Sequence, residues 1–302
     1  MKLFPSCLPC LIQMAITACK IGSGSEQTTF EVLREVMDYL SKQEYDRPAP
    51  DYSQPILEIV SKHLNQRDPF REIKKKSNQV GREFVQRLIP YLEQVRDEKE
   101  KIARAIQISI AGNIIDFATV PELESRLEEE IQRALKVEFA LFELEEFFRE
   151  LEGAEKILFL TDNAGELAFD RVLIELLAEK KKQVIVALKS GPALNDALLE
   201  DALQLGLDKI PGVKLITTGQ ARMGINLKTA GKDFLQAWQE ADLIISKGQA
   251  NFECLYGELA PIYFLTMIKC QPLSGWLGLK KNQAIFSRGE RIYEQKTQAV
   301  QR

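Results

Sequence analysis

Up to Leu151, apolar residues return at every third or fourth position. "FEVLREVMDYLSK", "GREFVQRLIPYLEQV" and "VEFALFELEEFFREL" each read as an amphipathic helix, the last with Leu141, Leu144, Phe148 and Leu151 on one face. Pro48, Pro50 and Pro55 break the pattern in "DRPAPDYSQP", and "FATVPELE" breaks it again, so several helices are joined by proline-marked connections. After Gly153 the pattern shortens to runs rich in Ile, Val and Leu: "KILFLT", "QVIVALK", "VKLITT", "DLIIS", "IYFLTMI" and "QAIFS". Each is too short for a buried helix, and most are separated by an amphipathic stretch such as "AFDRVLIELLAEKKK" or "DFLQAWQEA". The expected organisation is a helical region over residues 1–151 and an α/β domain with a mostly parallel, helix-flanked sheet over 152–302.

A chain of 302 residues with 45% hydrophobic content is long enough for two packed domains. Its 44 acidic and 40 basic residues give a formal charge of −4, which provides no broad basic field for nucleic acid or an anionic membrane, and points to small partners. The opening "MKLFPSCLPCLIQMAITACK" is apolar enough to mimic a signal peptide, but Pro5, Pro9 and two cysteines interrupt it, so it reads as part of the fold. Cys7, Cys10, Cys19, Cys254 and Cys270 are too few and too unevenly spaced for a secreted disulfide framework, which makes a cytoplasmic location the expectation.

In an open parallel sheet, ligands bind beyond the carboxyl ends of the strands. The first run ends in Asp162, Asn163, Gly165 and Glu166, and the second leads to Asn195 and Asp196. The fourth leads to Lys247, Gly248, Gln249, Asn251 and Glu253, and the fifth to Lys269 and Cys270. Asp162, the Asn163 carbonyl and Asp196 can hold a hard divalent cation, leaving positions for water and a phosphate oxygen that Lys247 and Lys269 would neutralise. Each piece also has a plainer reading: Asp-Asn after a strand is a common turn or helix cap, and "GPALND" and "KGQANFE" are plausible surface loops. Three such clusters on one sheet edge favour the site. His63, the one histidine of the sequence, lies on an amphipathic helical stretch and reads as a surface or packing residue, which excludes Ser-His-Asp and His-rich zinc chemistry. No GxGxxG follows a strand, no GxxxxGK[ST] occurs, and "TDNAGE" lacks the Asp-x-Asp pair of haloacid dehalogenase-type phosphatases.

Taken together, "CLPC", "DPFREIKKKSN", "AGNIIDFA", "TDNAGE", "GPALNDA" and "KGQANFE" resemble the domain of unknown function 89 family, the damage-control phosphatases, and the Cys-x-x-Cys pair resembles its prokaryotic branch. The resemblance spans roughly residues 5–290. It implies a three-layer, Rossmann-like α/β/α sandwich carrying an N-terminal helical domain. It also implies a metal-dependent phosphatase of small phosphorylated metabolites, such as sugar phosphates or damaged derivatives, using Mg²⁺, Mn²⁺, Co²⁺ or Ni²⁺. Carried onto this chain, Asp162, Asn163 and Asp196 match the metal positions and Lys269 the phosphate-contacting lysine. Asn113 and Asp116 match a substrate-facing motif, with a helix stop and cap as the alternative. Asp68, Lys74 and Asn78 also match, against the alternative of a solvated helix face. Cys7 and Cys10 can serve a metal, a reversible disulfide or simple packing, of which a structural or redox role is preferred. Two rival functions remain: a Rossmann-like methyltransferase using S-adenosylmethionine, which the missing Gly-rich turn disfavours, and a non-catalytic phosphometabolite-binding or redox module. The sequence says nothing of oligomeric state.

Overall fold

The computed structural model describes residues 1–112 and 136–300. Three helices, α1 (Cys7–Ile21), α2 (Glu26–Ser41) and α3 (Pro50–Leu64), open the chain. They close on a core of their own that includes Ala15, Ala18, Val32, Val36, Tyr52, Ile56 and Val60. The Ser25 hydroxyl accepts the Thr28 N–H at 3.0 Å and starts α2. Pro50 opens α3, where a missing N–H has no cost. Pro55 does not end a helix as the sequence pattern suggested. It lies inside α3 and forgoes one main-chain bond near the start, which the packing of Tyr52 and Ile56 offsets.

Two further helices, α4 (Arg71–Glu93) and α5 (Glu98–Ala111), precede the sheet. There follow β1 (Phe139–Phe142), α6 (Leu144–Gly153), β2 (Lys156–Leu160), α7 (Ala164–Glu179), β3 (Gln183–Leu188), α8 (Leu199–Gln204) and β4 (Val213–Thr217). The chain then forms α9 (Lys232–Glu240), β5 (Leu243–Lys247), α10 (Gln249–Leu255), β6 (Ile262–Met267), α11 (Gln271–Leu277), β7 (Ala284–Arg288) and α12 (Gly289–Val300). Among the described residues these strands form one seven-stranded sheet in the order β1-β7-β6-β5-β2-β3-β4. The strands from β4 to β6 across that order are parallel, β7 runs antiparallel to β6, and β1 runs parallel to β7.

Strand side chains alternate between two buried layers. Ile157, Phe159, Val184, Val186, Leu243 and Ile245 face a core shared with α4, α5, α6 and α7. Leu158, Leu160, Ile185, Ala187, Ile244 and Phe264 face a second core built with α9, α10 and α11. Helices on both faces make the sheet the middle layer of an α/β/α sandwich, and burial on both faces explains why the strands read as continuous apolar runs.

Two expectations are corrected. The helical region does not extend as one unit to residue 151: α4, α5 and α6 share the core of the sheet, and the separate helical core ends near Phe70. Nor is "VEFALFELEEFFREL" one helix. Phe139–Phe142 is an edge strand hydrogen-bonded to β7, and the helix begins only at Leu144. The Phe139 and Phe142 rings stack 4.3 Å apart, and Phe142 meets Phe286 of β7 edge-on, contacts that outweigh the local helical spacing.

Two contacts help to seat the α1–α3 unit. Asp51 of α3 pairs with the buried Arg222 guanidinium, and Leu194, in a loop after β3, packs into the α1–α3 core. No helix of the described residues is long and apolar enough to cross a membrane. On the other face, α4 crosses α7 so closely that a Cβ on Gly81 would lie 2.5 Å from the Gly165 carbonyl oxygen. Gly81→Ala is therefore expected to separate the two helices and destabilise the protein by about 1–3 kcal/mol, measured by urea unfolding.

Candidate active site

The chain passes from β2 outward to β3 and β4, then returns to β5 on the other side of β2. The crevice between β2 and β5 is thus a switch in strand order, where the carboxyl ends of neighbouring strands diverge. Asp162 follows β2 and Gly248 follows β5. Gly248 has φ +84°, and a Cβ there would lie 2.1 Å from the Asp162 carboxyl carbon, so only glycine lets the two strand ends approach. Asp196 arrives from the loop after β3: Asn163 and Asp196 form an antiparallel bridge, and the Ala197 N–H donates to the Asp162 carbonyl at 2.8 Å.

Asn163 occupies the N-cap of α7, but its side chain does not cap the helix. Its amide instead donates to Asp162 Oδ2 at 3.2 Å and to Glu166 Oε1 at 2.6 Å. Asp162, Glu166 and Asp196 are all buried, at the positive end of the α7 dipole. Burial, then the charges of Glu166 and Asp196, push the Asp162 carboxyl well above the usual range, against Lys269 and Lys189. Burial pushes Asp196 up to about 6 against the pull of Lys189. Asp196 Oδ2 is buried with no donor in hydrogen-bond geometry, and Lys189 Nζ stands 3.5 Å away. The buried carboxylates of Asp162 and Asp196 with the neighbouring Asn163 amide fit a small hard cation that keeps part of its water shell. The donor set is two carboxylates and an amide. Among the described residues no group of three or more His, Cys, Asp or Glu side chains is placed to hold a metal ion.

The Damage-control phosphatase ARMT1-like domain model matches residues 3–285. The chain belongs to this family. It is 32% identical to the damage-control phosphatase PH1575 of Pyrococcus horikoshii over 96% of this chain and 99% of that one. It is 31% identical to a damage-control phosphatase of Archaeoglobus fulgidus over 92% of this chain and 96% of that one. The crystal structure described as a DUF89 family protein, PH1575 of P. horikoshii, superimposes with a TM-score of 0.86 at 31% identity, covering 96% of this chain and 99% of that one. These relatives support a phosphatase role, and the fold of this damage-control phosphatase family member is theirs.

The structure sorts the residues that the sequence singled out. It brings Asp162, Asn163 and Asp196 together, and places Lys269 on an exposed loop with its charge acting on Asp162. Gly248 backs Asp162. Lys247 is a correction: it is fully buried on the opposite face of the sheet, where its ammonium pairs with Asp170 and donates to the Ser109 carbonyl at 3.1 Å. Asn251, which its place after the fourth run made a candidate substrate-binding residue together with Gly248 and Glu253, is committed within the fold. Its amide donates to the Thr161 and Lys247 carbonyls, at 3.0 and 2.7 Å, and its oxygen accepts from Lys189 at 3.3 Å. Asn78, wholly buried, donates to Asp201 at 2.7 Å and Gln204 at 3.0 Å, bracing α4 against α8 rather than opening onto the crevice. Lys74 is buried too, in an ion pair with Asp68 at 2.7 Å. Glu253 accepts from Gln249 at 2.7 Å beside Cys7. Cys7 and Cys10 open α1 as free thiols, and His63 pairs with Glu35 at 2.8 Å. Asn113 and Asp116 lie outside the described residues.

Two residues of the crevice were missed as site residues: Glu166, legible only as a carboxylate one helical turn beyond Asp162, and Lys189, a lysine ending an apolar run. The two lysines assigned to phosphate should separate on substitution. Lys247→Met leaves Asp170 buried and uncompensated and is expected to cost about 3–5 kcal/mol, whereas exposed Lys269→Ala should shift stability by no more than about 0.5 kcal/mol, both read from urea unfolding.

Proposed function

We propose that this protein is a divalent-metal-dependent phosphatase that hydrolyses small phosphorylated metabolites, sugar phosphates or damaged derivatives of normal metabolites among them. The observation that carries the proposal is the convergence of Asp162, Asn163 and Asp196 at the β2–β5 switch, with Lys269 in electrostatic reach of Asp162. Those three side chains would hold Mg²⁺, Mn²⁺, Co²⁺ or Ni²⁺, which supplies Lewis-acid stabilisation of charge on the phosphoryl oxygens. The chain's own groups do the positioning. The amino end of α7 would aim main-chain dipoles at the phosphate, and Lys269, exposed on its loop, would balance the charge of the transferring group. Attack on phosphorus comes either from water or from Asp162 itself, and acid-quench trapping of a phosphorylated Asp162 would establish the covalent route. A cytoplasmic location belongs to the same proposal and rests on the free thiols. Among the described residues no feature of the crevice favours S-adenosylmethionine over this reading.

The test is phosphate release from a panel of small phosphoesters with Mg²⁺, Mn²⁺, Co²⁺ or Ni²⁺. Metal-dependent turnover is expected, removed by chelation and lowered at least about a hundredfold in Asp162→Ala. Absence of turnover on every ester with every metal would overturn the proposal and favour a binding module.

A further inference from the structure

Lys189 is almost wholly buried, an uncommon place for a lysine. Its ammonium lies 3.3 Å from the Gly224 carbonyl, 3.3 Å from Asn251 Oδ1 and 3.5 Å from Asp196 Oδ2. Three donors therefore face three oxygens, two of them neutral and fixed by other contacts. Both amide hydrogens of Asn251 are committed to the Thr161 and Lys247 carbonyls, so its oxygen must face Lys189. Gly224 has φ +63°, and a Cβ there would lie 2.5 Å from Cys254 Sγ and 2.7 Å from the Ala250 carbonyl oxygen, so its loop lies tightly on α10. The Lys189 main chain grips the same segment as its side chain: its N–H donates to the Ala197 carbonyl at 3.1 Å. The ammonium is thus held by two hydrogen bonds to fixed neutral oxygens and stands at ion-pair distance from Asp196.

Resting on the metal-dependent reading above, we propose that Lys189 is a positioning residue that acts as a built-in cation. It takes one flank of Asp196 and thereby weakens the hold of the crevice on a divalent cation. Its fixed ammonium, 3.5 Å from Asp196 Oδ2, takes up part of the charge that an entering cation would otherwise meet. Without it, the carboxylates would hold a divalent ion more tightly, because a like charge this close opposes every cation that enters.

Mn²⁺ binding to the metal-stripped full-length chain tests this, read as loss of the free-ion signal by electron paramagnetic resonance. The variants are Lys189→Gln, which keeps donors for Gly224 and Asn251 without the charge, Lys189→Met, and Lys189→Arg, which restores the charge; thermal melts identify the folded ones. The wild-type chain and Lys189→Arg are expected to bind one Mn²⁺. Lys189→Gln, or Lys189→Met if Gln unfolds, should bind at least about tenfold more tightly. Unchanged or weaker binding of one ion in a folded neutral variant would overturn the role of Lys189 and leave the metal site standing. Absence of Mn²⁺ binding by the wild-type chain would remove the metal site itself, and this role with it.

Discussion

Asp162, Glu166 and Asp196 are held in a space from which water is largely excluded, and their mutual repulsion is the constraint around which the carboxyl edge of the sheet is built. Burying a carboxylate without a partner costs several kcal/mol, and burying three together costs more than any one hydrogen bond returns. The neighbouring groups answer this in kind. The Asn163 amide bridges Asp162 and Glu166 where another sequence would have used it to cap α7, the α7 dipole points its positive end at the cluster, and Lys189 stands against Asp196. The proposed cation would add to that compensation at Asp162 and Asp196.

Such crowding survives only because the rest of the fold over-determines it. Gly248 allows the end of β5 to touch the Asp162 carboxylate, and Asn251 ties the ends of β2 and β5 together through their main-chain carbonyls. Below the sheet, the fully buried Lys247 joins β5 to α5 and α7 through Ser109 and Asp170. Beside it, Leu194 adopts φ +52°, uncommon for a branched residue, two positions before Asp196, and packs its partly buried side chain against the α1–α3 core. The helical unit therefore does more than cover an edge: its packing holds the loop that delivers Asp196.

Much of this was legible in the sequence because it depends on period and position. Strands buried on both faces write themselves as short apolar runs, and the residues just after them fall at the carboxyl edge whatever the details of packing, which is how Asp162, Asn163, Asp196 and Lys269 could be named. Features decided by long-range pairing were not legible. The strand Phe139–Phe142 has the local spacing of a helix, and only β7, some 140 residues later in the chain, makes it a strand. The division of the helices between two cores is equally invisible, since α3 and α4 carry similar amphipathic patterns and differ only in which unit they meet.

The two strand-end lysines show where the limit lies. Lys247 and Lys189 each close an apolar run, and each is buried, so composition, spacing and exposure treat them alike. Strand parity separates them. Lys247 continues the row of Leu243 and Ile245, whose face meets α5 and α7, and so it reaches Asp170 on the far side of the sheet from Asp162. Lys189 continues the row of Ile185 and Ala187, the other face, and so it reaches Asn251, Gly224 and Asp196. Because successive side chains point to opposite faces, an uncertainty of one residue in where a strand begins exchanges a structural lysine for one in the crevice. Once the apolar positions of each strand are assigned to a layer, parity alone places both lysines.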